Sequence, residues 1–160
     1  MKGCPSTDGW PFNFCMENQI KIPTVLHTFR KEEKLCSKKI IDRLFQDGNS
    51  FLVFPVKVVF LETNLSSTFP VQAGFSVGKK IFKRAVHRNR IKRLMREAYR
   101  LNKNDLYQKL VNRQLAVFFI FIGKEMADYK TIERSMKKAM QRIIGSLPTE
   151  TDQQLKTPHE

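Results

Sequence analysis

Apolar and polar positions change period several times along this chain. From Ser37 the apolar residues Ile40, Ile41, Leu44 and Phe45 fall at i, i+1, i+4 and i+5 and stop at Asp47-Gly48, which predicts a short amphipathic helix. Its other face carries Lys38, Lys39 and Arg43. Phe51 to Leu61 is rich in β-branched and aromatic residues, and Pro55 divides it into a short strand and a longer one, Val56 to Leu61. Glu62 to Pro70 reads as a polar turn and Val71 to Val77 as a strand ending at Gly78. A helical period then runs from about Lys83 or Ala85 to Asn102. Leu115 to Ile122 is wholly apolar and reads as a strand buried on both faces. Asp128 to Ile144 reads as a helix with Asp128 at its start and Gly145 after its end. The predicted order is α-β-β-β-α-β-α, an α+β arrangement.

Residues 1–23 mix Gly, Pro and Ser with scattered aromatics and show no period, so they are expected to be a disordered extension. The folded domain is expected over 24–145, with a flexible tail over 146–160. A chain of 160 residues that is 41% hydrophobic suffices for one core. The longest apolar run, Leu115 to Ile122, is far short of the roughly 18 residues that span a bilayer, and the N-terminus lacks a signal-peptide layout. A cytoplasmic protein with no membrane partner is expected. Cys4, Cys15 and Cys36 show no paired or metal-binding spacing and read as reduced thiols.

Charge sharpens the picture. The net charge is +14, and residues 79–103 hold 11 basic residues against one acid, a local excess of +10. That density repels itself unless an anionic partner neutralises it. On the predicted helix, Ile91, Leu94, Met95 and Ala98 form one apolar seam. Asn89, Arg93, Arg96 and Arg100 lie opposite, flanked by Arg88, Arg90 and Lys92. A salt-bridged, solvated helix would need acids at i±4, and only Glu97 is present. A membrane-surface helix would need bulkier apolar residues than this seam. The stripe therefore reads as a phosphate-binding surface, with arginine favouring bidentate contacts.

The run GFSVGKKIFKRAVHRNRIKRLMREAYR, Gly74 to Arg100, with Arg88, Asn89 and Arg90 at its centre, resembles the signature of the bacterial ribonuclease P protein component. The likeness holds over about 25 consecutive positions, and the predicted element order is also that of the family. The resemblance implies a single-domain sandwich with a left-handed β-α-β crossover, the fold called ribosomal protein S5 domain 2-like, against the usual right-handed rule. It implies an RNA-binding subunit of an endoribonuclease that removes the 5′ leader from precursor tRNA, a hydrolase leaving 5′-phosphomonoester ends. A catalytic RNA would carry the active site and its Mg²⁺, the protein would hold no catalytic residue, metal or cofactor of its own, and it would promote metal and substrate binding. Carried over by position, Lys79, Lys80, Arg84, Arg88, Asn89, Arg90, Lys92, Arg93 and Arg96 form the RNA-contact set; Arg100 joins them from the stripe.

The resemblance also implies a cleft between the first helix and the sheet that takes the single-stranded leader. Phe45 stands at one family aromatic position, whereas Ile41 stands where the family often has Phe. Lys38 on the helix and Lys57 and Val59 on the sheet are expected to complete the cleft. The plain alternative for Phe45 is an ordinary core residue.

Other signals carry less. Gly74 to Lys79 departs from a phosphate loop in spacing, and Lys80 stands where Ser or Thr is required. The acids are scattered rather than paired for metal-dependent hydrolysis, and His27, His87 and His159 lie far apart. A DNA-reading helix would need a supporting helix before it, where Val71 to Val77 reads as strand, so no DNA partner is expected. A ribosomal or other structural RNA-binding protein would share the charge but not the Arg-Asn-Arg context.

Overall fold

A computed structural model describes residues 27–147 apart from Ser66, Val111 and Asn112. The predicted N-terminal extension and most of the predicted tail, with Cys4, Cys15 and His159, lie outside the described residues. After a single 3₁₀ turn, Lys31–Glu33, come α1 (Lys38–Asp47), β1 (Asn49–Val53), β2 (Val56–Glu62), β3 (Val71–Val77), α2 (Ala85–Lys109), β4 (Leu115–Phe121) and α3 (Tyr129–Ser146). The helices and strands follow the α-β-β-β-α-β-α order of the sequence reading; the 3₁₀ turn is additional. No helix among the described residues is long and apolar enough to cross a membrane.

The four strands form one sheet in the order β1-β2-β4-β3. β2 pairs antiparallel with both β1 and β4, whereas β3 and β4 run parallel, joined through α2. This β3-α2-β4 unit is the crossover of the α+β sandwich. Alternation along the strands gives the sheet two different faces. Val56, Val58, Phe60, Val71, Ala73, Val77, Leu115, Val117, Phe119 and Phe121 point to one side, where Ile91, Met95 and Ala98 of α2 and Ile132, Met136, Ala139 and Ile143 of α3 meet them in the main core. α1 packs on the other side, burying Leu44 against Val59 and Ala116 in a smaller cluster.

Two helix ends and one burial pattern differ from the sequence reading, each for a physical reason. α2 continues past Asn102 to Lys109 because its buried seam continues through Tyr99, Leu106 and Tyr107. Lys103 interrupts that seam in the sequence but is buried in the structure, where Glu33 of the 3₁₀ turn neutralises it. Glu33 also accepts hydrogen bonds from the Tyr107 hydroxyl at 3.0 Å and the Arg30 backbone N–H at 3.3 Å, and Lys103 donates to the Thr28 carbonyl. This cluster ties the chain ahead of α1 to the C-terminal half of α2. α3 runs through Gly145 to Ser146, since Gly145 is exposed and the last turn closes around it. β4 is fully buried on one face but only in part on the other: Ala116 is buried under α1, whereas Phe118 and Ile120 are partly exposed, because α1 covers only part of that side.

Candidate nucleic-acid interface

α2 turns its apolar seam to the sheet and α3, which leaves the opposite arc for polar groups. The chain enters it through a loop fixed by Arg88, whose Nη1 donates to the Phe82 carbonyl at 2.7 Å and the Lys83 carbonyl at 2.6 Å. Lys79, Lys80, Arg84, Asn89, Arg90, Arg93 and Arg96 are exposed, and Arg88, Lys92 and Arg100 are half-buried. Ion pairing hardly reduces this surface. Among the described residues, Arg100 is the one member of the set in a salt bridge.

Arg100 differs from its neighbours. Its Nε donates to Glu97 Oε2 at 2.9 Å, its Nη2 to Glu97 Oε1 and its Nη1 to the His27 carbonyl, so all three nitrogens are engaged within the protein. The hydrogen bond from Arg100 holds the Glu97 carboxyl below its ordinary pKa, and Coulombic attraction adds to this. Arg88 retains Nε and Nη2 as further donors beyond its loop contacts. His87 is half-buried with its ring edge-on to Phe82.

The second candidate surface lies across the sheet, beside α1. Strand register places its residues in rungs: Leu61, Ala116 and Gln72; then Val59, Phe118 and Gly74; then Leu52, Lys57, Ile120 and Ser76. Phe45 projects from the last turn of α1, half-exposed, with its ring edge-on to Phe118 at a centroid separation of 5.3 Å. Ile41 is half-buried in the cluster beneath α1, Lys38 and Lys57 are exposed, and Val59 is almost wholly buried. Val59 therefore supports the floor of the cleft rather than lining its open surface.

Gly74 explains how the Phe118 ring lies across the sheet. A Cβ at residue 74 would sit 2.4 Å from that ring, closer than atoms approach, so only glycine leaves it room. Gly74 thus serves packing rather than a phosphate loop. Sequence reasoning missed Phe118, Ile120 and Leu52 as surface residues. Every position of β4 is apolar, so no period-2 alternation in its sequence marks the more open face.

These surfaces can do two different things chemically. The α2 arc offers rigid cations to a phosphate backbone, and the α1 cleft offers an exposed ring with lysines at its edges, suited to a stacked base and flanking phosphates. No three His, Cys, Asp or Glu side chains come together as a metal-binding group among the described residues.

Comparison with known proteins adds a family. The family model described as Ribonuclease P matches residues 29–144. The ribonuclease P protein component of Porphyromonas gingivalis is 40% identical over 121 residues, covering 74% of this chain and 88% of that protein. The corresponding protein of Chlorobium phaeobacteroides is 31% identical over 140 residues, covering 80% and 96%. Among solved structures, the RNase P protein of Staphylococcus aureus has a TM-score of 0.55 at 21% identity, covering 69% of this chain and 94% of that one. That of Thermotoga maritima has a TM-score of 0.55 at 23% identity, covering 69% and 96%. These two share the fold.

Proposed function

Because this chain belongs to the ribonuclease P protein family, we propose that it helps a catalytic RNA remove the 5′ leader from precursor tRNA, binding the leader itself and promoting metal and substrate binding. It is a ribonuclease P protein component, a subunit of an endoribonuclease that works in tRNA processing with the ribonuclease P RNA. The observation that carries the finer reading is the pair of surfaces on opposite sides of one sheet, a cationic arc on α2 and an aromatic cleft under α1.

In this reading, Lys79, Lys80, Arg84, Asn89, Arg90, Lys92, Arg93 and Arg96 face the phosphates of the catalytic RNA, and Arg88 joins them through Nε and Nη2. Arg100 acts as a positioning residue, since its nitrogens hold Glu97 and the segment at His27. Phe45 stacks on a leader base, Ile41 and Phe118 wall the cleft, and Lys38 and Lys57 meet its phosphates. Holding both RNAs on one rigid sheet turns substrate capture into a local event at high effective concentration. Cations placed between two polyanions also lessen their repulsion, so less free divalent ion is needed to bring them together. The Mg²⁺ used in cleavage is held through the RNA, and the protein alone is non-catalytic.

The reading is tested by salt dependence. Arg93→Ala with Arg96→Ala removes two phosphate contacts and should flatten the log affinity against log salt slope for a bacterial ribonuclease P RNA by about 1.5–2. An unchanged slope means these arginines do not face RNA.

A further inference from the structure

The buried ion pair between Glu33 and Lys103 belongs to neither RNA surface, and stability alone does not account for it. Glu33 is 1% exposed and Lys103 2%. Two charges taken so far out of water lose hydration that their attraction only roughly repays, and an apolar pair of similar volume often holds a fold as well or better. What an apolar pair lacks is direction. Here the bonds fix one geometry: Glu33 accepts from Lys103 Nζ, the Tyr107 hydroxyl and the Arg30 backbone N–H, while Nζ also donates to the Thr28 carbonyl and lies 5.2 Å over the Tyr107 ring.

That geometry reaches α1 over a short path. Two residues after Glu33, the Leu35 N–H donates to the Ala73 carbonyl at 3.1 Å, and Lys34 forms a parallel bridge to Ala73, so this segment lies along the outer edge of β3. Ser67 Oγ and Gln72 Nε2 hold it there as well, donating to the Glu32 carbonyl at 3.1 and 3.2 Å. The Leu35 side chain is buried with Leu44 of α1, Val59 and Ala116. Only Cys36 and Ser37 then precede α1. α1 itself buries one side chain, Leu44, with Ile40 and Ile41 half-buried beside it. So narrow a seam leaves the tilt of the helix over the sheet to be decided at its two ends. Gly48 leads straight into β1 at one end, and Leu35 anchors the other. Lys38 and Ile41 stand nearer the Leu35 end, so their distance from Lys57 and Ile120 across the cleft depends on where Leu35 is held. A site about 1 Å too loose loses much of its function.

We propose that Glu33 and Lys103 are positioning residues for leader recognition: their buried pair locks residues 28–35 to α2 and, through Leu35, sets the tilt of α1 and the width of the cleft. The proposal rests on the reading of that cleft as the leader site. It joins the helix that faces the catalytic RNA to the surface that takes the substrate.

The test compares holoenzyme carrying Glu33→Leu with Lys103→Met against the unaltered holoenzyme, in equilibrium binding to leader-bearing precursor and to mature tRNA, with Phe45→Ala as the reference. Urea denaturation reads how far the apolar pair restores stability, and amide hydrogen exchange of the full-length chain reads the hold on α1. The double variant should fold yet lose about 3- to 30-fold of the preference for precursor, with mature tRNA binding unchanged. Exchange in α1 should quicken while that in β4 and α3 stays the same. A merely structural pair would regain the preference together with the stability. Should the double variant fail to fold, Ser67→Ala with Gln72→Ala, which removes both side-chain donors to the Glu32 carbonyl, frees the same segment and is read with the same signs. Retained preference in the folded variant, or equal losses on both RNAs, overturns the proposal; if Phe45→Ala still lowers the preference, the cleft reading stands without it. A Phe45→Ala variant with full preference removes the cleft reading and the proposal together.

Discussion

Replacing Phe45 with Ala separates a cleft residue from a core residue, because the two roles predict different losses. Phe45 is half-exposed and touches Phe118 edge-on. Full burial of a Phe side chain is worth about 1.5–3 kcal/mol, so half of that, about 1 kcal/mol, is at stake, and the edge contact adds about 0.5–1.5 kcal/mol. A fold with about 5–15 kcal/mol of stability survives that loss. Stacking on one base is worth about 1–3 kcal/mol, which corresponds to about 5- to 150-fold in affinity. The assay is equilibrium binding of the holoenzyme to leader-bearing precursor and to mature tRNA at one fixed salt concentration. Phe45→Ala should weaken precursor binding within that range and leave mature tRNA unchanged, while Phe45→Trp, which keeps a ring, should retain most of the preference. Equal losses on both RNAs would refute the cleft assignment and return Phe45 to a packing role.

Other consequences follow from the same structure. Ile41→Phe adds a ring beside Phe45 and should raise precursor affinity over mature tRNA; the same binding pair reads it, and a fall in both would mean the cleft is too tightly packed there. Lys103→Met leaves Glu33 buried without its cation and should cost about 3–5 kcal/mol by urea denaturation, whereas combining it with Glu33→Leu should recover much of the loss. Tyr99, Tyr107 and Tyr129 are all held above the ordinary phenol pKa, in each case chiefly by burial. A raised native pKa contributes stability that is complete below about pH 10 and is lost as pH rises beyond it. Phenolate absorbance near 295 nm should therefore stay low through pH 10, with the share of Tyr99 and Tyr107 appearing only with alkaline unfolding; ionisation of all three tyrosines near pH 10 in the folded chain would contradict the burial of Tyr99 and Tyr107.

Much of the fold was legible because each element carries a clear period. Ile91, Met95 and Ala98 announce the buried seam of α2, and Pro55 marks the break between β1 and β2. The far half of α2 was not legible, since Lys103 in a seam looks like a helix end unless one knows that Glu33, 70 residues earlier, neutralises it. The basic arc could be read from side-chain type alone, because exposed arginines need no tertiary partner to be recognised. The cleft could not be read fully, because which face of the all-apolar β4 stays partly open depends on how much of the sheet α1 covers. Gly74 showed the same limit: its meaning lies in the Phe118 ring across the strand pair, which only the register brings into contact.

The central claim is that this chain assists a catalytic RNA and does not cut RNA by itself. Cleavage of a precursor tRNA at low Mg²⁺ tests it most directly, comparing the protein alone, a bacterial ribonuclease P RNA alone, and the two together. Only the mixture should release the leader efficiently. Cleavage by the protein alone would reveal an active site of its own, and a mixture no better than the RNA alone would mean that the basic arc of α2 serves a different nucleic acid.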